Sequence, residues 1–286
     1  MVINEKPEGM KNMSVILGID IGGSTTKIVG LNKDRSVIAM HRVQAQDPIT
    51  SLYGALGNFL FSNGLELRDV ERIALTGVGS SFVNGDIYGI PTEMVDEFTA
   101  VGTGGLALSG LERAVVISMG TGTAFIWAER EKEVRHLCGS GVGGGALAGM
   151  CSKLCGTRKY NQIIKLAADG DVNKIDLTVG DITQGTHPSL PLDITAANFG
   201  NVSDDATAAD FAAAAINMVL QSIGTTAVMS CRACDCDTVV LTGFMSTLPQ
   251  AKDCFSLFTR LHGINFVIPE NATFATSIGA ALRTFR

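Results

Sequence analysis

The chain has 286 residues, of which 46% are hydrophobic and 17% charged. That supports one large domain or two of ordinary size and excludes general disorder. A formal net charge of −6 argues against nucleic acid or an anionic membrane as partner, so an anionic substrate needs a local pocket of a few Lys, Arg and helix N-termini. Seven cysteines and a polar opening dozen residues without an apolar leader point to free thiols in a reducing, cytoplasmic compartment.

Residues 1–13 read as a loose tail. Strands are predicted at 14–20, 27–32 and 36–43, a helix at 51–63, and strands at 72–76 and 92–95. A helix follows over 97–110. The order then restarts with strands at 114–119, 123–130 and 133–138 and helices at 144–154 and 160–169. An irregular stretch is expected through 171–204. The apolar run 206–231 contains Asp210, Asn217 and Gln221, so it reads as a buried core or interface helix and not as a membrane span. A strand at 238–242, a helix at 250–262, a strand at 265–268 and a helix at 274–285 close the chain.

Two segments say the same thing. Val15-Ile16-Leu17-Gly18-Ile19-Asp20-Ile21-Gly22-Gly23-Ser24-Thr25-Thr26-Lys27 and Val115-Val116-Ile117-Ser118-Met119-Gly120-Thr121-Gly122-Thr123 each set a β-branched run before a tight Gly/Ser/Thr turn. Turns of this kind expose amides and hydroxyls that converge on phosphate oxygens. A second echo pairs Leu75-Thr76-Gly77 with Leu241-Thr242-Gly243, each a buried strand ending in Thr-Gly. Two long repeats facing each other make a cleft lined by loops at strand carboxyl ends. The predicted division is a tail 1–13, a first domain 14–111 and a second domain 112–286, with the final helix expected to pack back on the first.

Asp20 ends the first strand, where a carboxylate can hold Mg²⁺, directly or through water, beside polyphosphate. Ser24, Thr25 and Thr26 add hydroxyls and Lys27 an ammonium. An ordinary hairpin with a capping Asp has the same letters; the second turn tips the balance toward phosphate. A third glycine run, Gly139-Ser140-Gly141-Val142-Gly143-Gly144-Gly145-Ala146, enters a helix and offers free amides to an anion. It follows the third strand of a meander, so its G-x-G-x-x-G spelling is not a Rossmann site. Asp96 and Glu97 are adjacent carboxylates at a strand-to-helix junction. One of them can accept a hydroxyl proton during phosphoryl transfer, although an acidic first helical turn is the plainer local reading.

The ordered set Gly18-Ile19-Asp20-Ile21-Gly22-Gly23-Ser24-Thr25-Thr26-Lys27, Asp96-Glu97-Phe98, Gly120-Thr121-Gly122-Thr123, Gly143-Gly144-Gly145 and Asp193-Ile194-Thr195-Ala196-Ala197-Asn198-Phe199-Gly200 resembles the type II pantothenate kinases of the actin/hexokinase/Hsp70-like superfamily. The resemblance runs from Val15 to Leu282. It implies an α/β fold of duplicated actin/hexokinase-like (RNase H-like) domains, with five-stranded mixed sheets flanked by helices and an ATP cleft between them. It implies Glu97 as the general base toward the pantothenate hydroxyl. Asp20, Gly22, Gly23, Ser24, Thr25 and Lys27 become the first phosphate loop, and Gly120, Thr121 and Gly122 the second. Gly144, Gly145, Ala146, Tyr160 and Gly243 line the nucleotide. ATP and Mg²⁺ are the implied cofactors, pantothenate the substrate, and coenzyme A or acyl-CoA the candidate regulator. The helix near 206–231 is implied in a homodimer.

One position departs. Where the family has a substrate-binding Arg before the glycine run, this register has His136, with Arg135 beside it; both, with Gly139, are candidate substrate residues. Strand neighbours point to opposite faces and Arg is not interchangeable with His. So either His136 reads the substrate differently, or a register slip turns Arg135 inward. The first loop also resembles activator ATPases of radical dehydratases, which carry an iron–sulfur cluster, and a sugar kinase of the same fold is a third reading. Cys231, Cys234 and Cys236 lack an obvious fourth ligand for a metal and read as ordinary thiols, as do Cys151 and Cys155 on one helix. His41, His187 and His262 show no partner pattern and read as surface residues.

Overall fold

A computed structural model describes residues 14–44, 47–183 and 191–285; the tail 1–13 and His187 lie outside the described residues. β1 (Val15–Ile21), β2 (Thr25–Leu31) and β3 (Val37–Gln44) form an antiparallel meander. α1 (Pro48–Ser62) leads to β4 (Val70–Thr76) and β5 (Thr92–Met94), which extend the sheet in parallel. After α2 (Glu97–Ser109) the plan repeats. β6 (Arg113–Met119), β7 (Thr123–Glu129) and β8 (Arg135–Ser140) are antiparallel, and β11 (Thr238–Thr242) and β12 (Asn265–Val267) add in parallel. The sheet orders β3-β2-β1-β4-β5 and β8-β7-β6-β11-β12 are the same topology twice. The predicted fold class, two five-stranded mixed sheets flanked by helices, is the observed one.

β1 is buried along its whole length, as a central strand covered on both faces must be. One face packs on α1 through Leu17, Ile19, Ile28, Leu56 and Phe59. α1 starts at Asp47, whose carboxylate accepts from the Thr50 amide at 2.7 Å, with Pro48 at the first helical position, a standard start signal. The second sheet is covered by α3 (Gly144–Leu154), α4 (Tyr160–Ala168), α6 (Ala208–Ala233) and α7 (Pro249–His262). Among the described residues α6 is the one helix long and apolar enough to cross a membrane. Here it is a core helix, with Ile216, Val219, Leu220 and Ile223 packed on Val115, Ile117 and Phe125.

Two helices lie between the sheets, and each covers the other half's sheet. α2 packs Val101 and Leu106 on Ala114, Val116 and Ile126 of the second sheet. α8 (Ala275–Arg283) packs Ile278 and Ala281 on Ile16, Val29 and Leu31 of the first. Where they cross, backbone meets backbone. A Cβ at Gly104 would lie 1.8 Å from the Ala275 carbonyl oxygen, and one at Gly279 would lie 1.8 Å from that of Ala100. Both positions must be glycine for steric reasons alone, despite its poor helix propensity.

The stretch expected to be irregular is in part ordered. β9 (Leu177–Thr178) pairs with β10 (Thr195–Ala197), and a one-turn helix α5 (Val179–Ile182) follows β9. The organiser is Asp176, 1% exposed, far below what a lone carboxylate tolerates. It accepts from the Phe199 amide at 2.9 Å and from the side-chain amides of Asn217 at 2.8 Å and Asn198 at 3.2 Å. Gln221 closes the network on Asn198, Asn217 and Thr195. Strands of two and three residues carry no readable periodicity, which is why the sequence pattern misses them.

Gly279→Val forces α8 away from α2 and is expected to cost more than about 3 kcal/mol, read as a lowered urea midpoint. A midpoint like the parent's would show that the helix crossing is not close-packed.

Candidate active site

Asp20, at the end of β1, lies opposite Lys27 on β2 and Thr76 on β4. Directly paired residues share a face, so the three form one row toward the second half of the molecule. Lys27 Nζ is 2.9 Å from Asp20 Oδ2, with side-chain exposures of 13% and 6%. The Thr76 hydroxyl, buried in the same row, has no hydrogen-bond partner among the described residues. Gly77 follows at φ +87°; a Cβ there would come within 2.5 Å of Asp20 Oδ1. The carboxylate therefore sits in the middle of the row, with the Gly77 backbone packed closely beside it.

The two repeated turns meet. Ser24 Oγ and Thr121 Oγ1 lie 3.2 Å apart, and the Cβ position of Gly23 is 3.9 Å from Thr121 Oγ1. So the first loop (Gly22, Gly23, Ser24, Thr25) and the second (Gly120, Thr121, Gly122) come together from opposite halves.

The glycine-rich helix entry differs from its expectation in one respect. The amide of Gly144 donates to the Gly120 carbonyl at 2.9 Å, and that of Gly145 to the Thr121 carbonyl at 2.8 Å. These amides are tied into the second loop and are not free anion donors. A Cβ at Gly143 would fall 2.8 Å from the Thr121 carbonyl oxygen, so the glycines permit this docking. Tyr160 Oη reaches within 2.6 Å of the Cβ position of Gly144. Its ring packs edge-on against Phe244 at 5.1 Å, just after Gly243 (φ +85°). Burial raises the Tyr160 hydroxyl above its ordinary pKa. Gly144, Tyr160 and Phe244, which follows Gly243, thus come together, and Gly145, followed by Ala146, packs on Thr121.

α2 separates the two adjacent carboxylates. Asp96 caps the helix, accepting from the Thr99 amide at 2.8 Å and the Thr99 hydroxyl at 2.9 Å. Glu97, the first helical residue, is half-buried and feels the charges of Asp20 and Lys27. Burial, and secondarily the Asp20 charge, push its carboxyl above the ordinary glutamate range. A proton acceptor with a raised pKa is what general-base work near neutrality requires.

β8 decides between Arg135 and His136. Phe125 pairs with Cys138 and Ile126 with His136, so Leu137 is the extra residue of a bulge. His136 shares the face of Ile126, and its ring stacks on Phe98 at 4.2 Å between centroids and 11° between planes. Its Nε2 is 3.8 Å from the Cβ position of Gly139. Arg135 lies opposite Trp127 and donates from Nη2 to Cys234 Sγ at 3.5 Å. Arg135 therefore drops out of the candidate site: the bulge does occur, but it does not turn Arg135 inward. Sequence reasoning also passed over Phe98 and Phe244 as site residues. Their signal was adjacency to Glu97 and Gly243.

All seven cysteines are free thiols. Burial pushes the thiols of Cys231, Cys151 and Cys254 up to about 12, and Cys236 Sγ approaches the Thr238 carbonyl at 3.3 Å. His41 has a partner after all, Asn58 Nδ2 at 2.9 Å, and the His262 ring packs against Phe258 at 5.7 Å.

A sequence-family model described as Fumble matches residues 114–270, and one described as the BadF/BadG/BcrA/BcrD ATPase family matches 17–152. A type II pantothenate kinase of Staphylococcus epidermidis is 30% identical over 274 residues, 92% of this chain and 98% of that protein. One from Staphylococcus aureus is 29% identical over 92% of this chain and 97% of its own length. Among solved structures, component A of the Acidaminococcus fermentans (R)-2-hydroxyglutaryl-CoA dehydratase superposes with a TM-score of 0.64 at 15% identity, covering 94% of this chain and 96% of that one. A ROK family glucokinase from Streptomyces griseus superposes at 0.59 and 13% identity, with 94% and 98% covered. At such identities these two likenesses show the actin/hexokinase-like fold alone. Fold, loop order and full-length identity together make this chain a member of the type II pantothenate kinase family.

Proposed function

We propose that the protein transfers the γ-phosphoryl group of ATP to the primary hydroxyl of pantothenate, giving 4′-phosphopantothenate and ADP. The observation that carries this reading is the half-buried Glu97 carboxylate, held beside Asp20 and Lys27 at the start of α2. Glu97 accepts the hydroxyl proton, the oxygen attacks the γ-phosphorus, and the bond to the β-phosphate oxygen breaks. The two loops hold the β- and γ-phosphates, and Tyr160 and Phe244 line the end of the cleft where the α-phosphate joins the nucleoside. Catalysis comes mainly from positioning and charge neutralisation.

The residues fit Mg²⁺ in the manner usual for kinases, one carboxylate plus substrate phosphates. Asp20 would hold it, beside the Thr76 hydroxyl, which has no hydrogen-bond partner among the described residues. When bound, the ion neutralises phosphate charge. Lys27, 2.9 Å from Asp20 Oδ2, orients it. His136, stacked on Phe98, faces the substrate end and reads its carboxylate. A cytoplasmic homodimer built on α6, which leaves Met229 exposed, and regulation by coenzyme A or acyl-CoA belong to the same proposal.

Glu97→Gln is expected to lower kcat by about 10²- to 10⁴-fold with little change in KM. In the parent, kcat is lost as pH falls through the raised Glu97 pKa, at a higher pH than an ordinary glutamate would give. Parent-like turnover of the variant, with ATP, Mg²⁺ and pantothenate supplied, refutes the assignment.

The raised pKa also makes Glu97 a stability liability. The folded state favours its protonated form, so ionised Glu97 destabilises the fold above that pKa, and the penalty vanishes below the ordinary glutamate pKa. Glu97→Gln should therefore melt at a higher temperature than the parent at neutral pH and converge with it in acid. Equal melting temperatures at pH 7 would contradict the burial argument.

His136→Ala should raise the KM for pantothenate about tenfold, the scale of one lost charge-assisted hydrogen bond. Arg135→Ala should leave it unchanged. The reverse pattern would mean that β8 presents its other face to substrate.

A further inference from the structure

The row across the first sheet has a fourth member. Thr76, Asp20 and Lys27 are directly paired across β4, β1 and β2, and Lys27 is paired with Arg42 on β3. Paired positions share a face, so Arg42 is on the side of the sheet that carries Asp20. Two strand spacings, about 10 Å, separate its Cα from that of Asp20. The side chain crosses to the other half of the molecule. Its guanidinium carbon is 5.2 Å from the centroid of the Phe244 ring, which in turn packs on Tyr160. Among the described residues no carboxylate pairs with Arg42.

Charge makes this position telling. The carboxylates of Asp20 and Glu97 face each other beside a single ammonium, that of Lys27, which is already committed to Asp20 at 2.9 Å. A nucleoside triphosphate adds several more negative charges to that group. The protein as a whole is acidic, with a formal net charge of −6, and supplies no general attraction. The end of the cleft flanked by Tyr160 and Phe244 needs a cation that is not spent on a protein carboxylate. Arg42 is exposed and already ordered across the cleft by an aromatic face. A guanidinium stacked in this way keeps its outward N–H fork available for phosphate oxygens.

We infer that Arg42 is a nucleotide-binding residue, reaching from the first half of the molecule to the phosphates of ATP at the end of the cleft lined by Tyr160 and Phe244. The inference rests on the kinase reading and adds a residue to it. Arg42 donates hydrogen bonds to phosphate oxygens, and Phe244 holds the guanidinium in place. The effect on pantothenate is indirect, because Glu97 and His136 lie at the other end of the row.

The test is titration calorimetry with ATP in the absence of pantothenate, together with steady-state kinetics in both substrates. Arg42→Met should weaken ATP binding and raise the KM for ATP about 10- to 100-fold, with the KM for pantothenate changed less than about twofold. Arg42→Lys should recover part of the loss, since it restores charge without the fork. Phe244→Leu should weaken ATP binding about 3- to 10-fold, the scale of a cation–π contact. Parent-like ATP affinity in Arg42→Met, with the parent binding ATP and phosphorylating pantothenate, overturns this inference and leaves the kinase reading intact. A parent that neither binds ATP nor makes phosphopantothenate overturns both.

Discussion

The contact on which the rest depends is the crossing of α2 and α8 at Gly104 and Gly279. Backbone touches backbone there, because neither position has room for a methyl group. Each helix comes from one half of the chain and lies on the sheet of the other. The two sheets are therefore not joined by a single linker; they are locked through a shared pair of helices. That lock places the first residue of α2, Glu97, opposite Asp20 of the first sheet, while the body of α2 is seated on the second. Glu97 and Asp20 both come from the first half of the chain, yet their spacing depends on packing of α2 far from either. Close packing tolerates little extra volume, so glycines well away from the reacting atoms govern their geometry.

The site concentrates unfavourable electrostatics that the surrounding fold overcomes. Glu97 is desolvated and near a like charge. Asp20 is 5% exposed and compensated by Lys27. Asp96 is spared the same conflict by serving as a helix cap. The Asp176 network shows the contrasting solution for a buried carboxylate: neutral amide donors satisfy its oxygens, so it is a rigid joint and not a reactive group. These two acids differ in what faces them: burial and a like charge raise the carboxyl of Glu97, whereas amide donors satisfy that of Asp176.

Much of the fold was legible because the central strands β1, β6 and β11 are aliphatic, largely β-branched runs of five or more residues and the turns are spelled in glycine. The doubled hairpins and the Thr76-Gly77 and Thr242-Gly243 echoes identify the duplication, since each glycine sits over the preceding hairpin strand at positive φ. Three features were not legible. The pairing of β9 with β10 depends on Asp176, whose partners are 22 to 41 residues away in sequence. The bulge at Leu137 leaves no trace in the alternation of so short a strand, yet it decides which of Arg135 and His136 faces the cleft. The amides of Gly144 and Gly145 looked available from their glycine context, and only the three-dimensional arrangement reveals the carbonyls they already serve.

The meeting of Ser24 and Thr121 has a kinetic consequence. The two repeated turns touch through a neutral hydroxyl pair at 3.2 Å, an interaction whose net worth is about 1 kcal/mol. Thermal motion at RT of about 0.6 kcal/mol breaks such a contact readily. A contact this weak is no latch between the two turns, and it yields readily to whatever enters between them.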